Sequence, residues 1–175
     1  MKMETKRLIL RELTMDDFDS LHSILSDPQI MQYYPSPFDE EKTRNWIRRN
    51  IRRYTELGFG LWAVILKETG ELIGDCGVTM QNIHGVIRPE IGYHIAKAWQ
   101  KQGYASEAAA CCRDYVFENT PFNYVYSYMK YTNIASYATA MKIGMHFVEE
   151  YDDPVNVRTK VYAMTREEWH QICGR

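Results

Sequence analysis

Between Gln100 and Ala105 the chain reads Gln-Lys-Gln-Gly-Tyr-Ala, a turn with one glycine that runs into a helix. A turn of this kind presents backbone N–H groups that the helix does not use, backed by the partial positive charge of a helix N-terminus. That arrangement suits a phosphate. The six residues lack the three-glycine spacing of a dinucleotide fingerprint and the Gly-Lys-Ser/Thr ending of a nucleoside-triphosphate loop. A glycine placed only to turn tightly also explains them, with no ligand. Just upstream, Glu90, Gly92 and His94 alternate onto one face of a strand, and Ile91, Tyr93 and Ile95 onto the other. Downstream, Asn133 and Ser136 stand three apart and share a helix face.

The elements that position these residues follow from periodicity and punctuation. Strands are expected at 7–11, 61–66, 72–80, 89–95, 124–130, 146–151 and 159–165, where short β-prone runs are bounded by turn residues. A helix follows Thr14, with Asp16 and Asp17 in its first turn, and ends at Asp27-Pro28. Residues 28–38 hold three prolines and must be loop. Asp39 caps a second helix that Gly58 and Gly60 stop, with Trp46, Ile47, Ile51 and Tyr54 as its apolar face. Arg48, Arg49, Arg52 and Arg53 make it locally basic and read as a solvated stripe or as attraction for an acidic substrate or partner. Helices over about 103–118 and 133–143 complete a β-α-α-β-β-β-α-β-α-β-β order, a mixed sheet with helices on it. No repeat or linker divides 1–175, so one domain is expected.

Composition excludes several classes. Net charge is −2, which argues against direct nucleic-acid or acidic-membrane binding. No apolar run approaches a membrane span, and the opening residues do not read as a signal peptide. Cys76, Cys111, Cys112 and Cys173 show neither disulfide nor zinc spacing, and a reducing cytoplasm fits them.

Taken in order, the strand ending at Ile95, the Trp99-Gln100-x-x-Gly103-Tyr104-Ala105-Ser106-Glu107-Ala108 turn and helix, Asn133-x-x-Ser136 and Lys142-Ile143-Gly144-Met145 resemble the GCN5-related N-acetyltransferase (GNAT) superfamily. The opening Thr5-Lys6-Arg7-Leu8-Ile9-Leu10-Arg11, with Asp27-Pro28 and Gly60-x-Trp62, resembles its ribosomal-protein N-terminal acetyltransferase (Rim-type) branch. The resemblance covers nearly the whole chain. It implies an α+β fold: a mixed, mostly antiparallel sheet of six to seven strands flanked by helices, splayed between the strands at 89–95 and 124–130. It also implies acetyl-CoA as cosubstrate and no metal. Gln100, Lys101, Gln102, Gly103, Tyr104 and Ala105 would hold the pyrophosphate, and backbone near His94, Ile95 and Ala96 would hold the pantetheine arm. Asn133 would bond that arm, although Asn is also a preferred helix cap. The position of Lys101 is often Gly in relatives.

Acetyl transfer to an amine needs a base, because an amine is mostly protonated near pH 7. It also needs an N–H donor for the oxyanion, for which strand amides near Ile95 are placed. Glu90 is the base candidate, with a surface ion pair as its other reading; Asp75 is the reserve, then His94 or His84. Many relatives carry a Tyr acid seven residues after the Asn. That position is Ala140 here, so Ser136, as in the Rim-type branch, is the candidate to hydrogen-bond or protonate the thiolate. Tyr33, Tyr34 and Phe38 are candidates to line the acceptor cleft. The expected activity is direct transfer in a ternary complex to a protein N-terminal amine or a small amine, by a monomer or homodimer. A non-catalytic CoA-binding or regulatory module is the alternative that the missing Tyr raises.

Overall fold

The computed structural model describes residues 2–174. Among these residues, eight strands form one sheet: β1 (Lys2–Glu4), β2 (Leu8–Arg11), β3 (Leu61–Leu66), β4 (Leu72–Ile83), β5 (Val86–Ile95), β6 (Tyr124–Lys130), β7 (His146–Asp153) and β8 (Val157–Thr165). Five α-helices accompany them: α1 (Phe18–Leu25), α2 (Glu40–Leu57), α3 (Tyr104–Asn119), α4 (Ile134–Lys142) and α5 (Arg166–Cys173). The sheet order is β1-β2-β3-β4-β5-β6-β8-β7, and every neighbouring pair is antiparallel except β5–β6.

The sheet has one strand more than the expected six to seven. β1 has three residues, pairing Lys2↔Arg11 to Glu4↔Ile9 at the edge, and so short a run carries no pattern of its own. α5 was also not expected. It is opened by a capping box in which Thr165 and Glu168 exchange hydrogen bonds. The β4–β5 hairpin is longer than its sequence pattern suggests and turns on two residues, His84 and Gly85, both at positive φ (52° and 80°), which matches the twist of the strands it joins.

β3, Leu-Trp-Ala-Val-Ile-Leu, is buried at every position because both faces of the sheet are covered. Ala63 and Ile65 pack with Leu21 and Leu25 of α1 and Ile47 of α2. Trp62 and Val64 join Cys76, Val78 and Ile91 against Ala108, Cys112 and Val116 of α3. Cysteines that showed no paired spacing in sequence meet here: Cys76 Sγ and Cys112 Sγ lie 3.6 Å apart as free thiols. Among the described residues, no helix is long and apolar enough to cross a membrane.

Candidate active site

β5 carries the centre of the site. Ala96 N–H donates to Ile73 O (2.8 Å), continuing the β4–β5 ladder. Alternation along that ladder turns the backbone of His94, Gly92 and Glu90 toward β4 as well, and leaves the backbone of Ile91, Tyr93 and Ile95 facing β6. Among the described residues, β6 meets β5 in a single pair, Glu90↔Tyr126. Beyond it the strands part. Residues 91–94 on one side and 127–130 on the other line a cleft of about 410 Å³ that also reaches Glu90, Asn133 and Ser136. Of the three residues expected to offer backbone to a cosubstrate arm, Ile95 faces this gap, whereas His94 and Ala96 are turned to β4. A carbonyl of that kind, Ile95 O, is already met by Gln100 Nε2 at 2.9 Å.

The turn that follows is a short 3-10 segment, Lys97–Trp99, and then α3, whose N-cap is Gly103 at φ +85°. No side chain caps this helix. Among the described residues, the backbone N–H groups of Lys101 through Ser106 have no protein acceptor. Gly103 adopts its left-handed conformation without steric cost. Lys101, at φ +61°, does not. Replacing Lys101 by Gly is therefore expected to stabilise the fold by about 1 kcal/mol, read by denaturant unfolding, and to keep CoA affinity, since the backbone N–H stays. A tenfold loss of affinity by calorimetry would instead assign a phosphate contact to the ammonium.

An arginine from β1–β2 braces this turn, which sequence reasoning missed. Arg7 Nη1 donates to Gln102 O (3.1 Å), its guanidinium sits 4.1 Å over the Tyr104 ring, and its Nε donates to Glu107 Oε2 (2.7 Å). Glu107 Oε1 also accepts from Arg7 N–H (2.8 Å) and the Thr5 hydroxyl (2.5 Å). Burial pushes the Glu107 carboxyl up, but the Thr5 and Arg7 donors outweigh it and hold it below the ordinary range. The acid in the first turn of α3 is thus neutralised locally and does not repel an anion at the helix start. Thr5 and Arg7 lay in the Thr-Lys-Arg-Leu stretch; only their partner a hundred residues away was invisible.

Glu90 is 8% exposed and receives a hydrogen bond from Thr79 Oγ1 (3.1 Å). Burial pushes its pKa up to about 7, against the opposing pull of Thr79, His94 and Arg53. Gly92 makes room for it: a Cβ at 92 would stand 3.2 Å from both carboxylate oxygens. Asp75 is fully buried and does not line the cleft. Its Oδ1 meets His94 Nδ1 (2.7 Å), and its Oδ2 accepts from Trp46 Nε1 (2.8 Å). The other His94 nitrogen, Nε2, meets the Tyr34 hydroxyl (2.9 Å). Tyr34 is 39% exposed as a residue, yet burial around its hydroxyl, then the charges of Glu90 and Asp75, raise the phenol pKa. Tyr33 and Tyr34 line the cleft; Phe38 does not, and packs instead against Trp46 and Tyr34 (centroids 5.5 and 6.0 Å). His84 lies far off, stacked on Tyr151 and bonded to Glu149.

On the other face of the sheet, Asn133 Oδ1 caps α4 by accepting from Ser136 N–H (3.2 Å). The Tyr93 hydroxyl donates to Ser136 O (2.8 Å) and lies 3.1 Å from Ser136 Oγ. Burial pushes the Tyr93 phenol up to about 12. Tyr93 carried no role in the sequence reading. Ala140, where a Tyr acid is absent, is buried at 1% exposure.

The Acetyltransferase (GNAT) domain family model matches residues 7–146. The chain is 36% identical over 160 residues to the uncharacterized protein YkkB of Bacillus subtilis (strain 168), covering 89% of this chain and 93% of that protein. It is 29% identical over 176 residues to the uncharacterized N-acetyltransferase YnaD of the same strain, covering 97% and 100%. A solved GNAT-family acetyltransferase from Bacillus anthracis superposes with a TM-score of 0.81 at 28% identity, covering 95% of this chain and 99% of that one. RimL, solved in complex with coenzyme A, shares the fold at a TM-score of 0.79 and 18% identity, covering 94% and 98%. The chain belongs to the GNAT acetyltransferase superfamily, and its fold is the GNAT fold.

Proposed function

We propose that the protein transfers the acetyl group of acetyl-CoA directly to a primary amine within a ternary complex, as a single domain over 1–175. The observation that carries this reading is the parting of β5 and β6, which opens both faces of the sheet onto one cleft. Glu90 enters it from one face, and Tyr93 with Ser136 from the other. The residues fit the cosubstrate: an uncapped helix start with free N–H groups adjoins a gap edged by unpaired strand backbone.

Acetyl-CoA supplies the activated acetyl thioester. The N–H groups of residues 101–106 hold the pyrophosphate, with Gln100–Ala105 forming the cradle. The backbone of Tyr93 and Ile95 aligns the pantetheine arm, and Asn133, whose Oδ1 is committed to the cap, offers Nδ2. Glu90 takes the proton from the acceptor ammonium, directly or through water, and the Ile95 N–H stabilises the oxyanion. The Ser136 hydroxyl hydrogen-bonds the departing sulfur, and the Tyr93 hydroxyl does so when its proton turns from Ser136 O to the sulfur. A phenol at about 12 is a weak acid near neutrality, so its part is chiefly to solvate the thiolate. The acceptor is a protein N-terminal amine or a small amine. The Rim-type reading rests on the resemblance of Thr5–Arg11, Asp27-Pro28, Gly60-x-Trp62 and Asn133-x-x-Ser136.

Release of CoA thiol from acetyl-CoA, followed with a panel of peptides and small amines, tests the reading. Tyr93→Phe combined with Ser136→Ala is expected to lower kcat by about 10²-fold or more with CoA affinity little changed. CoA binding without turnover across the panel would favour a non-catalytic module.

A further inference from the structure

The five arginines of α2 are not equivalent. Arg44 pairs with Glu40 Oε2 (3.2 Å) and sits 3.8 Å over the Phe18 ring. Arg52 Nε pairs with Glu56 Oε2 (3.6 Å), and Arg48 Nη1 reaches Asn45 Oδ1 (3.4 Å), both on the exposed side. Arg49, itself exposed, and Arg53 stand one turn apart on a neighbouring side and line the cleft that holds Glu90. Among the described residues, neither has a carboxylate within ion-pair distance; Arg53 donates only to Asn50 Oδ1 (3.2 Å). Arg53 is half-buried. Burial and then the Arg49 charge lower its pKa, opposed by Glu90. Two like charges held together beside a cavity await a counterion.

The other charged groups facing the cleft do not supply it. Asp153 Oδ1 accepts from the N–H groups of Val155 (2.6 Å) and Asn156 (3.0 Å), and its Oδ2 accepts from the Thr159 hydroxyl (3.2 Å), so it is spent within its own turn. Lys130, on the wall opposite, adds a third cation. Glu90 attracts Arg53, but burial favours its neutral form and, among the described residues, it forms no ion pair with either arginine; Asp75 is sealed behind His94 and Trp46. α2 lies across the sheet from α3, so these arginines do not serve the pyrophosphate turn.

We infer that the acceptor is an amine carrying its own anionic group, a carboxylate or a phosphate, which docks on Arg49 and Arg53 while the amine faces Glu90. The inference rests on the acetyl-transfer reading and narrows its acceptor class. A guanidinium matches either anion with paired N–H donors.

The test compares matched pairs: L-amino acids with their amides for the carboxylate arm, and phosphoethanolamine with ethanolamine for the phosphate arm. The charged member of at least one pair is expected to show a kcat/KM about tenfold or more above its neutral partner. Arg49→Gln is expected to collapse that ratio toward one through KM, with Arg49→Lys keeping part of it. Arg48→Gln and Arg52→Gln, outside the cleft, keep it whole. Equal kcat/KM within both pairs, or an Arg49→Gln ratio equal to that of the unchanged protein, overturns the inference. Calorimetric titration of the same amines into CoA-loaded protein separates the two readings. A charge preference in binding that Arg49→Gln abolishes, with no turnover of any amine, leaves the subsite standing and removes the catalytic reading. Binding without charge preference removes the subsite.

Discussion

Glu90→Gln is expected to lower acetyl transfer by about 10²- to 10⁴-fold, the span that loss of a positioned base produces. CoA affinity should stay within a few-fold, because the amide occupies the same space beside Thr79 and Gly92. The same change should stabilise the protein at alkaline pH. Burial raises the Glu90 pKa from 4.5 to about 7. Between those values the folded state therefore binds a proton that the unfolded chain gives up. The stability this contributes is fully present below about 4.5 and is lost as pH rises through about 7, by roughly 3 kcal/mol from the size of the shift. Gln cannot ionise, so the variant should lose that slope. Urea unfolding at roughly pH 5 and pH 8 reads the difference. In the unaltered enzyme, kcat/KM should climb with pH and level off above about 7. A profile flat across that range, or a Gln variant at full rate, would remove Glu90 from the base role.

The second large effect is expected at Asp75. Two donors converge on this fully buried carboxylate, Trp46 Nε1 and His94 Nδ1. Asp75→Ala leaves both without an acceptor and opens a hole, and should cost about 3–5 kcal/mol. Asp75→Asn keeps one acceptor and turns an NH₂ toward the other donor, for about 1–3 kcal/mol. Either change also loosens His94, and through its Nε2 the hydroxyl of Tyr34. The acceptor KM should therefore rise while CoA affinity does not, because nothing in this chain of contacts reaches the turn at 100–105. Denaturant midpoints and a KM series decide it. An Asp75→Asn protein as stable as the parent would mean that the convergence contributes nothing.

These two carboxylates show what the sequence could and could not convey. Alternation assigns Glu90, Gly92 and His94 to one face of a strand and Tyr93 to the other, and that much is legible. It does not reveal that the sheet comes apart beside them, so that residues on opposite faces address one cleft. Tyr93 is hidden for that reason, although its hydroxyl reaches Ser136. Asp75 looked like a reserve base because nothing local marks Trp46 and His94 as its partners. The turn at Gln100–Ala105 and the cap at Asn133 were readable because each is a local device, made by residues within one turn of one another. Arg7 was not, since its partners lie in α3. The Thr165–Glu168 capping box was local and could have been read as the start of α5; its place at the end of a strand hid it.

Among the described residues, the single pair Glu90↔Tyr126 joins the two parts of the sheet, and it falls at the residue proposed to carry the proton. In mechanical terms that pair is a fulcrum. Prying β5 and β6 apart to seat a thicker acyl chain would swing the far ends, Ile95 and Lys130, through the longest arc, and would move Glu90 least.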